Sequence, residues 1–193
     1  MNQSAPQVSG VDERDRPDET SAAVDLDRLT DLIANVLQSE GIPGSAEASL
    51  TLVDPDVIAE LKAQHLDGDG SPTDVLSFPI DGAYDGTDAP EGDADVVVGA
   101  ADASGSAEVE AVTWLVGDIV LCPDVAAAQA AEHAGTVDDE MALLVVHGAL
   151  HLVGWDHDDP DSQSAMWNRE RELMKQFHRT PARDPWSVTE EMS

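Results

Sequence analysis

Residues 141 to 157 read MALLVVHGALHLVGWDH, an apolar run that carries histidines at positions 147, 151 and 157. Apolar side chains fall on every side of a helix drawn through 141–153, so we predict that this helix is buried. A polar group buried without a partner costs roughly a few kcal/mol, and an imidazole in such a helix therefore needs a ligand or a hydrogen bond. We therefore expect the histidines within this buried helix to bind a ligand or to form hydrogen bonds.

The three histidines have the spacing of a metal site. His147 and His151 lie one turn apart on one helix face, at the separation at which two imidazoles bind one metal ion. Gly154 can adopt the left-handed conformation that ends the helix and turns the chain back, which lets His157 supply a third ligand. Three protein ligands leave one coordination position open, as in catalytic sites where the pKa of a bound water falls to about 7.

From this spacing we predict about one metal ion per chain. Zinc would be bound by ring nitrogens at about 2.0 to 2.1 Å, while nickel, cobalt and copper are alternatives that histidine ligands also accept. The competing interpretation is three ordinary core histidines hydrogen-bonded to carbonyls or carboxylates. The clustering of three of the six histidines within the short stretch 147–157 argues against it. The other three, His65, His133 and His178, are expected on the surface.

A zinc peptidase is one functional class that the motif suggests, because metzincin proteases share the pattern H-E-x-x-H-x-x-G-x-x-H. In that pattern the glutamate after the first histidine takes a proton from the attacking water. Gly148 occupies this position and cannot act as a base, so peptide hydrolysis is disfavoured, although the zinc helix and turn are expected to be metzincin-like. Asp156 and Asp158 flank His157, and either is a candidate for orienting an imidazole from outside the metal shell or for handling protons, with Asp156 preferred because Asp158 lies in an acidic run typical of a solvated loop.

Composition limits the partners and the compartment. The chain of 193 residues has 40 acidic and 9 basic residues, a formal charge of −31, and should repel DNA and other polyanions over most of its surface. Cys122 is the only cysteine, so no disulfide forms within the chain and a reducing compartment is expected. No apolar run approaches the roughly 20 residues of a membrane span. We therefore expect a soluble, cytoplasmic protein without a membrane partner.

The pattern along the chain predicts one domain over residues 23–178. Residues 1–22 are predicted to be a disordered acidic leader, since they offer little apolar surface. Residues 81–112 hold nine acids and no basic residue and are predicted to be a solvated insertion. Residues 179–193 are predicted to be a tail.

Periodicity and capping residues predict alternating helices and strands. The segment TWLVGDIVLC at 113–122 is either one buried strand or the two arms of a bend at Gly117 and Asp118. Strands are also predicted at 48–54 and within 68–80, and helices near 24–37, 55–66 and 124–134, from Thr136 through the histidines, and from about Asp161.

Two further segments accompany HGALHLVGWDH along the chain: SPTDVLSFPID at 71–81 and LVGDIVLCPD at 115–124. Together the three closely resemble the YbeY family of bacterial endoribonucleases and ribosomal RNA maturation factors, over about residues 24–177. The resemblance implies one α/β (α+β) domain in which helices pack on a small mixed sheet. It also implies a zinc ion (Zn²⁺) held by His147, His151 and His157.

The same resemblance implies a function on the ribosome: maturation of the 3′ end of small-subunit ribosomal RNA, and ribosome quality control. Attack on a phosphodiester by a metal-activated water fits the open site inferred above. Many family members carry an arginine shortly before PTDVLSF, suited to a phosphate, whereas this chain reads QHLDGDGS and has Leu66 in its place. Thr73 and Asp74 either form the turn that enters the strand or have a role in the site.

Two classes of function therefore compete. The leading interpretation is a zinc-dependent single-strand endoribonuclease acting on ribosomal RNA. The alternative is a non-catalytic ribosome-assembly factor with a structural zinc site, which binds a ribosomal protein or an assembly GTPase; the acidic surface and the missing arginine favour it.

Direct RNA contact would come from the basic residues near the C-terminus, and Arg169, Arg171 and Arg179 are the candidates. The competing interpretation is pairing on the helix surface, with Arg169 and Lys175 opposite neighbouring glutamates.

Overall fold

Helices pack on a small mixed sheet in this structure, a computed structural model that describes residues 5–15, 22–65, 70–80 and 114–187. The strands are β1 (Gln7–Asp12), β2 (Ala46–Leu52), β3 (Val75–Pro79) and β4 (Trp114–Leu121). The helices are α1 (Leu26–Ser39), α2 (Pro55–His65), α3 (Pro123–Ala130), α4 (Val137–Leu152) and α5 (Pro160–Phe177). The sheet order is β1-β2-β4-β3, in which β3 alone runs antiparallel to its neighbour. The α/β domain with a small mixed sheet is confirmed.

Helix α4, which carries the first two histidines, lies at the centre of the fold. Twelve of its sixteen residues are buried. It packs against β3 and β4 of the sheet and against α1, α3 and α5. Its first turn is capped by Thr136, whose side chain accepts a hydrogen bond from the backbone N–H of Asp139 at 3.1 Å. The buried helix and its start are therefore as predicted.

The two faces of the sheet contact different elements, because successive side chains of a strand point to opposite sides. Ile119 of β4 belongs to the main core, which α1, α4 and α5 share. Val120, the next residue, belongs to a smaller cluster with Ile58 of α2 and the buried Cys122. The histidine helix is thus fixed against one face of the sheet, while α2 covers part of the other.

Strand β4 runs unbroken through Gly117, so the bend proposed there is wrong and the single strand is correct. Its pairing with β2 shifts by one residue: Glu47 lies opposite Leu115, and Ala48 lies opposite Gly117. This shift is a β-bulge, which places the glycine at a φ of 153°. A β-carbon at Gly117 would lie 2.4 Å from the carbonyl oxygen of Phe78, so only glycine fits.

The structure corrects the predicted leader and modifies the predicted tail. Residues 7–12 of the leader form β1, which pairs with β2; its side chains are nearly all exposed, so hydrophobicity gave no signal of a strand. The tail predicted over 179–193 packs against the domain as far as it is described, and Trp186 is only 7% exposed. The predicted insertion at 81–112 lies outside the described residues. Among the described helices, none is long and apolar enough to cross a membrane.

Candidate metal centre

The end of α4 and the turn after it bring the three predicted histidines together. Gly154 has a φ of 90°, and the backbone N–H of Trp155 donates to the carbonyl of Leu150 at 3.1 Å, which reverses the chain. The ring centroid of His157 then lies 5.4 Å from that of His147 and 5.1 Å from that of His151. One nitrogen from each ring lies within 4.8 Å of the others. The helix and turn are as the spacing predicted; their likeness to metzincins stays a prediction.

The outer nitrogens of the two helical histidines are each held by a hydrogen-bond acceptor. His147 Nδ1 lies 2.7 Å from Glu170 Oε1, and His151 Nδ1 lies 2.8 Å from the backbone carbonyl of Trp155. A carbonyl can only accept, and an ionised carboxylate can only accept, so both Nδ1 atoms carry the proton. In the neutral tautomer this leaves both Nε2 atoms with a lone pair. Such bonds commonly fix metal-ligating histidines.

The inner nitrogens form an arrangement that a cation would stabilise. His147 Nε2 and His151 Nε2 are 3.0 Å apart, so two lone pairs face each other at hydrogen-bond distance. Without a proton or a cation between them, this contact is repulsive. Burial, and next the imidazoles of His147 and His157, lower the pKa of His151 and favour its neutral, metal-binding form. The donor set therefore fits one metal ion that accepts nitrogen ligands.

Access to the cluster is asymmetric. His147 and His151 are partly buried in the helix, whereas His157 is exposed. Solvent therefore reaches the cluster from the side of His157, while Glu170 of α5 covers the outer nitrogen of His147. This partial opening is what a reactive metal site requires and a fully enclosed structural site lacks.

Glu170 is a functional residue that the sequence analysis missed. Its side chain is 3% exposed, and its second oxygen, Oε2, accepts a hydrogen bond from the indole N–H of Trp186 at 2.6 Å. A signal was present: Glu170 shares the buried face of α5 with Met166, Leu173 and Met174. A carboxylate at a core position of an amphipathic helix needs a partner, and here the partner is the first histidine.

Asp156 lies beside the cluster but binds the backbone. Its Oδ1 accepts a hydrogen bond from the backbone N–H of His157 at 2.7 Å, and its charge acts on His151. It thus shapes the turn that carries His157, and a role in orienting the ring of that histidine stays a prediction. Asp158 is exposed on the same loop.

Two of the three candidate arginines form ion pairs within the fold. Arg169 Nε lies 2.7 Å from Glu40 Oε1, and its Nη1 lies 3.0 Å from Glu172 Oε2. Glu40 also accepts the indole N–H of Trp155 at 2.9 Å, which ties Arg169 to the turn that holds His151. Arg179 pairs with carboxylates at the start of α4, and the exposed Arg171 has its guanidinium 4.7 Å from the ring of Trp186.

Thr73 and Asp74 lie away from the histidines. Asp74 accepts hydrogen bonds from the backbone of Val75 at 2.8 Å and from the side chain of Gln129, which also donates to the buried Glu140 at 2.9 Å. Glu140 precedes His147 by seven residues, roughly 10 Å along the helix. The strand-entry interpretation therefore fits this geometry. Leu66, the position of the family arginine, lies outside the described residues.

The remaining histidines differ in exposure. His65 is exposed, and His133 is partly exposed and bonded to Glu140. The side chain of His178 is only 4% exposed, so the prediction of a surface position was wrong for it. Its Nε2 donates a hydrogen bond to Asp139 Oδ1, and with Asp138 these residues form a second group that by composition could hold a metal. Arg28 and Arg179 already pair with that group, so its negative charge is neutralised without an ion.

The fold and the site together define a small α/β protein with a three-histidine candidate metal centre. The family model described as Endoribonuclease YbeY matches residues 15–178. A Salinispora tropica protein called Endoribonuclease YbeY is 39% identical over 165 residues, which cover 86% of this chain and 96% of that protein. A protein of the same name from Frankia casuarinae is 38% identical over 80% of this chain and 69% of its own length. The chain belongs to the YbeY endoribonuclease family.

A solved structure is also similar to the chain. The solution structure of TM1509 from Thermotoga maritima is 22% identical, with a TM-score of 0.49, and the match covers 96% of this chain and 100% of that one.

Proposed function

We propose that this protein is a zinc-dependent endoribonuclease that cleaves single-stranded ribosomal RNA. In this proposal it matures the 3′ end of the small-subunit RNA, takes part in ribosome quality control and works in the cytoplasm. The observation that carries the proposal is the grouping of the three histidines, with the Nε2 atoms of His147 and His151 3.0 Å apart beside the exposed ring of His157, in a chain of the YbeY family. These features support one zinc ion held by His147, His151 and His157.

The chemistry divides between the ion and the residues around it. A bound zinc ion would supply Lewis acidity to activate water against a phosphodiester. Glu170 and the carbonyl of Trp155 hold the Nδ1 protons of the two helical histidines, so that both rings keep their Nε2 atoms directed inward. The exposed ring of His157 leaves one side of the cluster accessible. A single strand of RNA can enter such a partly recessed site more easily than a folded duplex, which fits a single-stranded substrate.

A second candidate function is a ribosome-assembly factor in which the zinc is structural. The observation in its favour is the charge: −31 overall, with Arg169 and Arg179 occupied by carboxylates of the chain itself. Such a surface suits a basic ribosomal protein, or a basic face of an assembly GTPase, better than naked RNA.

A zinc peptidase is the least favoured alternative, and the geometry at Gly148 adds a steric argument to the chemical one. A β-carbon there would lie 3.0 Å from Ser77 Oγ and 3.2 Å from Ile119 Cγ2. The position faces the sheet, so even a small side chain would be crowded against β3 and β4. A glutamate at the place where a metzincin needs its base would therefore require side chains of β3 and β4 to shift.

The deciding experiment compares cleavage of a defined single-stranded RNA by the purified wild type, by His151→Ala and by the matched control His65→Ala. His65 is an exposed histidine on α2, outside the cluster. We expect about one zinc per chain by elemental analysis and cleavage by the wild type and the control, with His151→Ala losing both metal and activity. Zinc binding without cleavage would favour the assembly factor. Undiminished cleavage by His151→Ala would refute the metal mechanism.

RNA contact by Arg169, Arg171 and Arg179 is a separate part of the proposal. Removing one arginine–phosphate interaction with a single strand should flatten the slope of log affinity against log salt by roughly 0.7. We expect the exposed Arg171 to contribute most, because Arg169 and Arg179 are paired with carboxylates. Binding of RNA by His151→Ala, with and without Arg171→Ala, measures this slope in the absence of cleavage. An unchanged slope would exclude Arg171 from the RNA contact.

A further inference from the structure

Glu170 is held on both sides, and this determines how it can act on His147. Its Oε1 bonds His147 Nδ1 at 2.7 Å, while its Oε2 accepts the Trp186 indole N–H at 2.6 Å. The carboxylate is 3% exposed, so little water is available to replace either bond. A rotation of the carboxylate would therefore break a buried hydrogen bond, which is costly in a site of low polarity.

We propose that Trp186, acting through Glu170, is a positioning residue for the metal centre. By donating to Oε2, the indole fixes the plane of the carboxylate, and Oε1 then holds the Nδ1 proton of His147. This keeps Nε2 of His147 unprotonated and directed at His151. The proposal rests on the zinc site of the proposed function and assigns a new role to a residue 29 positions beyond His157.

The segment that carries Trp186 is anchored at several points, as a positioning role requires. The backbone N–H of Arg183 donates to the carbonyl of Ala134 at 3.0 Å, and that of Ala182 donates to Asp139 Oδ2 at 3.2 Å. The guanidinium of Arg171 covers the indole at 4.7 Å from the ring centroid, and the residue is 7% exposed. The indole is therefore buried and held by contacts other than its bond to Glu170.

The opposing explanation is that Trp186 only fills the core. Trp186→Phe separates the two, because it keeps an aromatic ring and removes the N–H. Trp167→Phe is the matched control: Trp167 lies on the same helix as Glu170 and packs partly buried against the core, without a hydrogen bond to Glu170 or to the histidines. Zinc affinity is measured by competition with a chromophoric chelator, and urea unfolding of the metal-free proteins gives their stability.

We expect Trp186→Phe to weaken zinc binding roughly tenfold, the lower end of the range for partners of ligating histidines, and Trp167→Phe to stay within about twofold of the wild type. Nitrogen-15 spectra of the metal-free proteins should show the Nδ1–H form of His147 in the wild type and a mixture of tautomers in Trp186→Phe. Trp186→Leu, which also lacks the N–H, replaces Trp186→Phe if that variant does not fold.

The outcomes separate this proposal from the one it rests on. A wild type that binds zinc, together with a Trp186→Phe that binds it equally well, overturns the positioning role and leaves the metal centre intact. A decrease in affinity that is the same in both tryptophan variants, and follows their decrease in stability, also overturns it. A wild type that binds no zinc overturns both proposals.

Discussion

Asp139 anchors the start of the histidine helix to the C-terminal segment, and neutralising it should destabilise the fold in a pH-dependent way. The side chain is fully buried and accepts hydrogen bonds from Thr136 Oγ1 at 2.7 Å, Arg179 Nε at 2.7 Å and the backbone of Ala182 at 3.2 Å. His178 Nε2 lies 2.8 Å from the same carboxylate. The same segment continues to Trp186, whose indole bonds Glu170 beside the histidine cluster.

The magnitude follows from the pKa of Asp139. Burial raises this pKa, but the hydrogen bonds from Thr136, His178 and Arg179 outweigh burial and lower it from 3.8 to about 2. A depressed pKa contributes stability above the unfolded value and loses it as the pH falls through the folded value. The shift corresponds to about 2 kcal/mol at neutral pH, of which about 1 kcal/mol is lost by pH 3.

The assay is urea unfolding of the wild type and Asp139→Asn at pH 5 and at pH 3. The asparagine keeps the shape but does not titrate, so the stability difference between the two proteins should shrink by about 1 kcal/mol at the lower pH. Asp158→Asn, which changes an exposed acid on the loop beyond α4, controls for general charge effects. A difference that is equal at both pH values would refute the assignment of a low pKa to Asp139.

Three further predictions concern the core and the metal. The hydrogen bond to buried Glu140 raises the pKa of His133, so the stability that this bond gives the fold is full below pH 6.5 and is lost as the pH rises through the folded pKa. In urea unfolding, His133→Asn should therefore lower the free energy of unfolding more at pH 6 than at pH 9. An equal decrease at both pH values would contradict this. Gly117→Ala should cost about 3 kcal/mol in the same assay, because its β-carbon would meet the Phe78 carbonyl at 2.4 Å; a neutral effect would contradict the bulge. Zinc at 100 times its dissociation constant should stabilise the wild type by about 2.7 kcal/mol, and His151→Ala, measured by thermal unfolding, should show no such gain.

The parts of the fold that the sequence revealed are those with strong local signals. The apolar run around His147 and His151 predicted the buried helix, and Thr136 and Gly154 predicted its start and the turn after it. These signals are local, since helix caps and left-handed glycines act within a turn. The three-histidine cluster followed because its members lie within eleven residues of one another. Both the helix and the histidine cluster could be predicted because the residues that determine them lie close together in the sequence.

The parts that the sequence did not reveal depend on contacts between distant segments. Strand β1 exposes nearly all its side chains and is held by backbone hydrogen bonds to β2, for which side-chain patterns give no signal. Glu170 bonds His147 from 23 residues farther along the chain, and Trp186, which bonds Glu170, lies 39 residues beyond His147. A polar residue on the apolar face of α5 indicates that a partner exists, but only the packed structure identifies it.

The ion pairs in the structure change what the acidic composition implies about RNA binding. From the sequence, the basic residues near the C-terminus were the available contacts for phosphate, because phosphate binding requires cations. In the structure, Arg169 holds Glu40, which in turn holds the indole of Trp155, whose carbonyl fixes His151. That arginine is therefore part of a chain of contacts that ends at the histidine cluster. A guanidinium that is paired with Glu40 is not fully available to an RNA phosphate, so the number of basic residues overstates the capacity of this chain to bind RNA. The change in the salt dependence of RNA affinity on Arg171→Ala measures the contribution of the exposed arginine.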